Sequence, residues 1–158
     1  MSEHQPQGLL DTSTVILLPL LNDPAPLPKE PKISAITLAE LSVGPLVAST
    51  DELREARQAH VQQAEADFDP LPFDAAAARA FGRVAASLRR AGRQTQARAY
   101  DAMIAAVAIA NELPVYTCNP DDFAGISDLD VVAVPHPQAA APSAGQRTMP
   151  SITRRASS

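Results

Sequence analysis

The chain has 158 residues, 46% of them hydrophobic, with one Cys, no Trp and a net charge of −5. This is enough for one domain whose core is built from Ala, Leu, Val and Ile; it excludes an internal disulfide framework, and the scattered His4, His60 and His136 lack zinc spacing, so a bound metal would take oxygen ligands. Residues 136–158 carry three arginines and no acid; taking their +3 from −5 leaves −8 on residues 1–135, which argues against a passive nucleic-acid binder with a basic face.

In chain order, residues 1–7 are expected to be disordered. "GLLD" ends a first strand at Asp11. "TSTVILLPLL" begins a helix that Pro19 kinks or stops, and "NDPAPLPKEPK" is a proline-stiffened loop. "ISAI" is a strand leading into a helix from Thr37 to about Val47. A third helix places Leu53, Arg57, His60, Ala64 and Phe68 on one stripe, with Arg57 and His60 as boundary positions. "LPFD" is a short strand. Asp74 caps the next helix, whose core face is Ala77, Phe81, Val84 or Ala85, and Leu88, and which Gly92 ends. "AYDAMIAAVAIA" is an apolar helix reaching about Asn111, "PVYT" a strand and "DVVAV" the last strand. The tail from 136 to 158, rich in Pro, Ala and Ser, is expected to be disordered. Strands alternating with helices give an α/β domain with a mainly parallel sheet over residues 8–135. No apolar run approaches a membrane span and no leader pattern is present, so the expected setting is cytoplasmic.

Four acids fall at comparable places. Asp11 follows the first strand, Glu40 lies in the first turn of the helix after "ISAI", Asp101 opens the apolar helix, and Asp122 sits in "NPDD" after "PVYT". In an open parallel sheet the loops beyond the strands' carboxyl ends share one edge, where ligands bind, so these acids can meet. Carboxylates gathered there would suit a hard divalent cation such as Mg²⁺, with substrate phosphate completing the shell. Taken singly, Asp11 reads equally as a helix cap, Glu40 as a solvated helix residue and Asp122 as a turn residue that Asp121 could replace. Asp101 is different: an acid opening a run with no polar face calls for a metal or its helix dipole to hold it. Cys118 reads as a small packed residue, and Thr12 and Ser13 lack the context of a nucleophile. Walker A and Gly-x-Gly-x-x-Gly segments are absent.

Together "LLDTSTVI", "ISAITLAEL", "LPFD", "YDAMIAAVAIANELPVYT" and "NPDDFAGI" resemble the PIN-domain ribonuclease toxins of the VapC type, over about residues 9 to 135. The resemblance implies a three-layer α/β/α fold and a Mg²⁺- or Mn²⁺-dependent endoribonuclease that works as a homodimer and is neutralised by a VapB-type antitoxin. By position it gives Asp11, Glu40, Asp101 and Asp122 as catalytic acids, with Asp11 and Asp101 on the metal; Asp121 is the alternative fourth acid, and some relatives carry that acid at the position of Asn119. Ser13, Arg98, Asn119 and Asp121 are implied as supporting or RNA-contacting residues. Cys118 stands where the family often has arginine, and the proline-rich loop 22–31 is a departure beside the site. With an acidic body, RNA affinity is expected to come from local arginines, Arg83, Arg89, Arg90, Arg93 and Arg98. The competing readings are a metal-dependent phosphohydrolase on a small phosphate ester and a non-catalytic interaction module whose acids are caps and surface residues.

Overall fold

The structure, a computed structural model, describes residues 6–137. Four short strands, β1 (Gln7–Leu10), β2 (Glu30–Lys32), β3 (Val115–Thr117) and β4 (Val131–Ala133), form a parallel sheet in the order β2-β1-β3-β4. Side chains alternate across a strand, so the adjacent, fully buried Leu9 and Leu10 enter different cores. Leu9 packs with Val115, Phe123 and the inner faces of α4 (Ala75–Arg90) and α5 (Ala99–Ala110). Leu10 packs with residues of α1 (Thr12–Leu17), α2 (Ala35–Leu46) and α3 (Asp51–Asp67). The sheet therefore lies between helical layers.

Local chemistry explains most element ends. Asp11, Ser34, Thr50 and Asp74 are the N-caps of α1 to α4, each accepting from a backbone N–H three residues on. Pro19 turns the end of α1 into a 3-10 turn, Leu18–Leu20. Beyond α4, Gly92 at φ +78 reverses the chain, and the Arg93 N–H reaches back to the Leu88 carbonyl at 2.9 Å.

Four expectations need correction. The second strand is Glu30–Lys32 rather than "ISAI": the Ser34 side chain accepts from the Thr37 N–H and starts α2 at Ala35. "LPFD" contributes one bridge, Ser34 to Leu71, and no strand. Gln7, placed in a disordered start, pairs with Glu30 in β1. The buried face of α3 is Val61 and Ala64, and Leu53 is exposed. The expected disorder of residues 1–5 and 138–158 lies outside the described residues. Among the described residues no helix is long and apolar enough to cross a membrane.

Candidate active site

All four strands run the same way, so their carboxyl ends share one edge. β1 delivers Asp11 there with 2% of its surface exposed. Its Oδ1 accepts from the Thr14 backbone N–H at 3.2 Å; its Oδ2 accepts from the Thr117 hydroxyl at 2.8 Å and the Ser13 hydroxyl at 3.3 Å. Those donors replace the water the carboxylate loses on burial. Asp11 thus caps the start of α1 while standing at the end of β1.

Glu40 approaches from α2. Because that helix starts at Ala35, Glu40 lies in its second turn. Thr12 fixes it, the hydroxyl donating to Glu40 Oε1 at 2.5 Å and sitting 2.9 Å from the Thr37 hydroxyl. Burial raises the Glu40 carboxyl above the usual range, the Thr12 bond opposes this, and the nearby Asp11 adds to the rise.

Asp101 occupies the first turn of α5 and is pushed up to about 6. Burial is the largest cause, followed by the charges of Asp122, Asp11 and Glu40, while Arg98 works the other way. Three acids from three other parts of the chain thus act on one carboxyl, which a dipole role alone would not produce.

Asp122 stands on a 3-10 turn, Pro120–Phe123, anchored by the buried Phe123. Two arginines grip this turn. Arg98 Nη1 donates to the Asp122 carbonyl at 3.3 Å and lies 3.7 Å from its Oδ1; Arg93 Nη2 donates to the Asp121 carbonyl at 3.4 Å. The Arg93 Nε is buried without a hydrogen-bond partner among the described residues. Asp121 itself is exposed, and of the two neighbours only Asp122 bears on Asp101. Asn119 donates from Nδ2 to the Ser13 hydroxyl at 3.0 Å and from its backbone N–H to Thr117 at 2.9 Å, joining the loop after β3 to the start of α1. The Cys118 N–H donates to the Thr14 hydroxyl, and its buried thiol is raised above the ordinary range.

Thr12, Thr14 and Thr117 are supporting residues that the sequence did not single out as such. Their signal, a hydroxyl beside an acid or at a strand end, is too common to stand out. Glu40, Asp101 and the exposed Tyr100 line a cavity of about 640 Å³. Among the described residues no three His, Cys, Asp or Glu side chains are drawn together tightly enough to hold an ion as they stand. The donors are nonetheless all hard carboxylate oxygens, and the charges of Asp122, Asp11 and Glu40 all bear on Asp101, a set that fits Mg²⁺ or Mn²⁺.

Residues 9–129 match the PIN domain family. The chain is 38% identical over 139 residues to Ribonuclease VapC5 of Mycobacterium tuberculosis, covering 85% of this chain and all of that one. It is 32% identical over 102 residues to Ribonuclease VapC4 of the same organism, covering 65% of this chain and 75% of the relative. Among solved structures it superposes on a VapBC-5 toxin–antitoxin chain from M. tuberculosis with a TM-score of 0.71 and 35% identity, over 82% of this chain and 100% of that one. A chain of VapBC from Salmonella typhimurium matches with a TM-score of 0.65 and 30% identity, over 79% of this chain and 96% of that one. With its acids at the edge where the parallel strands end, this chain belongs to the PIN-domain family, among the VapC ribonuclease toxins of VapBC toxin–antitoxin systems.

Proposed function

We propose that the chain is a Mg²⁺- or Mn²⁺-dependent endoribonuclease that acts in the cytoplasm as a homodimer and is held inactive by a VapB-type antitoxin. The observation that carries this reading is the convergence on Asp101, whose carboxyl is raised by Asp122, Asp11 and Glu40 together. Asp11 and Asp101 would hold the principal ion, which when bound polarises a phosphoryl oxygen and makes water a stronger nucleophile. Glu40, oriented by Thr12, and Asp122, oriented by Arg98, align the attacking water and take up its proton. Ser13 and Asn119 keep the Asp11 loop in register with the loop after β3. In-line attack by water leaves a 5′-phosphate and a 3′-hydroxyl.

Metal-stripped protein incubated with total RNA, with and without added Mg²⁺ or Mn²⁺, followed by end-mapping, tests the reading. Cleavage that needs the ion and leaves 5′-phosphate ends supports it; intact RNA under every ion condition, with a normally folded protein, rejects it. The antitoxin arm has its own support. Several of the relatives' structures are toxin–antitoxin complexes.

A further inference from the structure

Between Asp74 and Asp101 the sequence holds six of the chain's thirteen basic side chains and no Asp or Glu. The rest of the body is strongly acidic; α3, for example, exposes Asp51, Glu52, Glu55, Glu65 and Asp67. Four of these arginines, at the end of α4 and beyond it, divide by role. Arg93 and Arg98 hold the turn that carries Asp122. Arg89 and Arg90, in the last turn of α4, are exposed, and among the described residues their guanidinium groups enter no ion pair or hydrogen bond.

Three surface hollows meet end to end along this segment. The cavity holding Glu40, Asp101 and Tyr100 shares Gln96 with a second, of about 560 Å³, bounded by Arg89 and Arg93. The second shares Arg89 and Thr95 with a third, of about 540 Å³, that reaches Arg90 along α4. The three hollows therefore adjoin one another between the acids and the exposed Arg89 and Arg90. Near its catalytic end Tyr100 is 57% exposed, an aromatic face of the kind on which an unstacked base settles.

We infer that single-stranded RNA on one side of the scissile phosphate runs along this groove, its phosphates on Arg89 and Arg90 and its bases against Tyr100 and the Gln96 amide. The inference rests on the ribonuclease reading above. An acidic body repels RNA everywhere else, so a local track of positive charge ending at the acids sets both where the substrate lies and which flank is felt.

The test compares wild type with Arg89→Gln/Arg90→Gln, and with Arg54→Gln/Lys29→Gln as a control that removes equal charge elsewhere. Cleavage kinetics use RNAs trimmed from either flank of a mapped site, and binding of a labelled oligouridine is followed by anisotropy in chelator. The groove variant should raise KM about tenfold or more at unchanged kcat and unchanged Mg²⁺-induced melting shift. Its log-affinity against log-salt slope should fall by about 1.4, roughly 0.7 per lost phosphate contact. Trimming one flank should raise KM for wild type and leave the groove variant unaffected, while the control behaves as wild type. A folded groove variant with wild-type KM and salt slope overturns the inference and leaves the basic face to an anionic protein partner. Equal loss in the control also overturns it, since global charge would then suffice. Wild type that binds oligouridine through Arg89 and Arg90 but cuts no RNA rejects the ribonuclease reading and keeps the groove.

Discussion

At Asp101, burial beside three other acids works against local stability. Its carboxyl sits at about 6 against an ordinary 3.8, so between those pH values the folded protein holds more protons than the unfolded chain. Without metal, this group's contribution therefore makes stability fall as pH rises from about 3.8 to about 6 and stay level above. The raw shift corresponds to about 3 kcal/mol, which solvent screening of a half-exposed group reduces to about 1–2. Chelated Asp101→Asn protein at pH 7 should thus melt about 3–6 °C above wild type and lose this part of the pH dependence. Mg²⁺ should raise its melting temperature less than it raises wild type's, and RNA cleavage should collapse. A helix-dipole role alone predicts the reverse in chelator, a loss of about 0.3–1 kcal/mol, so melting curves in chelator and in Mg²⁺ decide. Gly125 offers a second residue-scale test. It stands at φ +88, and a Cβ there would lie 3.0 Å from Arg93 Cδ and 3.1 Å from Ala91 Cβ. Gly125→Ala should cost about 1–2 kcal/mol from the left-handed backbone alone. It should also pull Arg93 off the Asp121 carbonyl, reducing the Mg²⁺ melting shift by loosening the turn under Asp122.

Helices α4 and α5 meet through small side chains: Ala77, Ala80, Ala102, Ala105 and Ala106 are all fully buried. Such a seam has no room for a longer residue, so Ala105→Leu should lower stability by about 1–3 kcal/mol, read as a drop in the denaturant midpoint at unchanged slope. Gly82 lies on the open side of α4, where an added Cβ meets nothing within 4 Å. Gly82→Ala should therefore stabilise the helix by about 0.5–1 kcal/mol. These helices were legible from the sequence because caps and periodicity agree with their packing: Asp74 starts α4, and Val84 and Leu88 line its buried face. The strands were less legible. Three-residue strands carry too little alternation to read, and β2 contains Pro31 between Glu30 and Lys32, a pattern that survives because β2 is an edge strand with one neighbour. Ser34 misled in the other direction. Its place in a short run of β-branched Ile33 and Ile36 reads as a strand, yet its hydroxyl caps α2.

Across the whole molecule, the acids could be read as one group because parallel topology carries every strand end to the same edge. What tightens that group could not, since each supporting contact joins distant segments: Thr117 to Asp11, Asn119 to Ser13, Arg93 to Asp121. The same limit applies to the molecule's outer surface, where sequence shows apolar residues without showing which of them face solvent. On α2, Val43 is 51% exposed and Leu46 84%, and Val47, which ends the helix, is 66% exposed. Ile16 at 49% and Leu20 at 59% lie on α1 and the turn after it, and Ile16 borders a cavity together with Leu41 and Gly44 of α2. Large side chains this open lose little by being changed in a monomer but much if a second copy covers them, at about 25 cal/mol for each Å² of apolar surface removed from water. The isolated chain is therefore expected to scatter light as a dimer at micromolar concentration. Leu46→Glu with Val47→Glu should shift it toward monomer while leaving the melting temperature at high dilution within about 2 °C, because exposed substitutions cost about 0.5 kcal/mol or less. Wild type that stays monomeric at high micromolar concentration, or a double variant that dimerises as tightly as wild type, would show that this face does not join two copies.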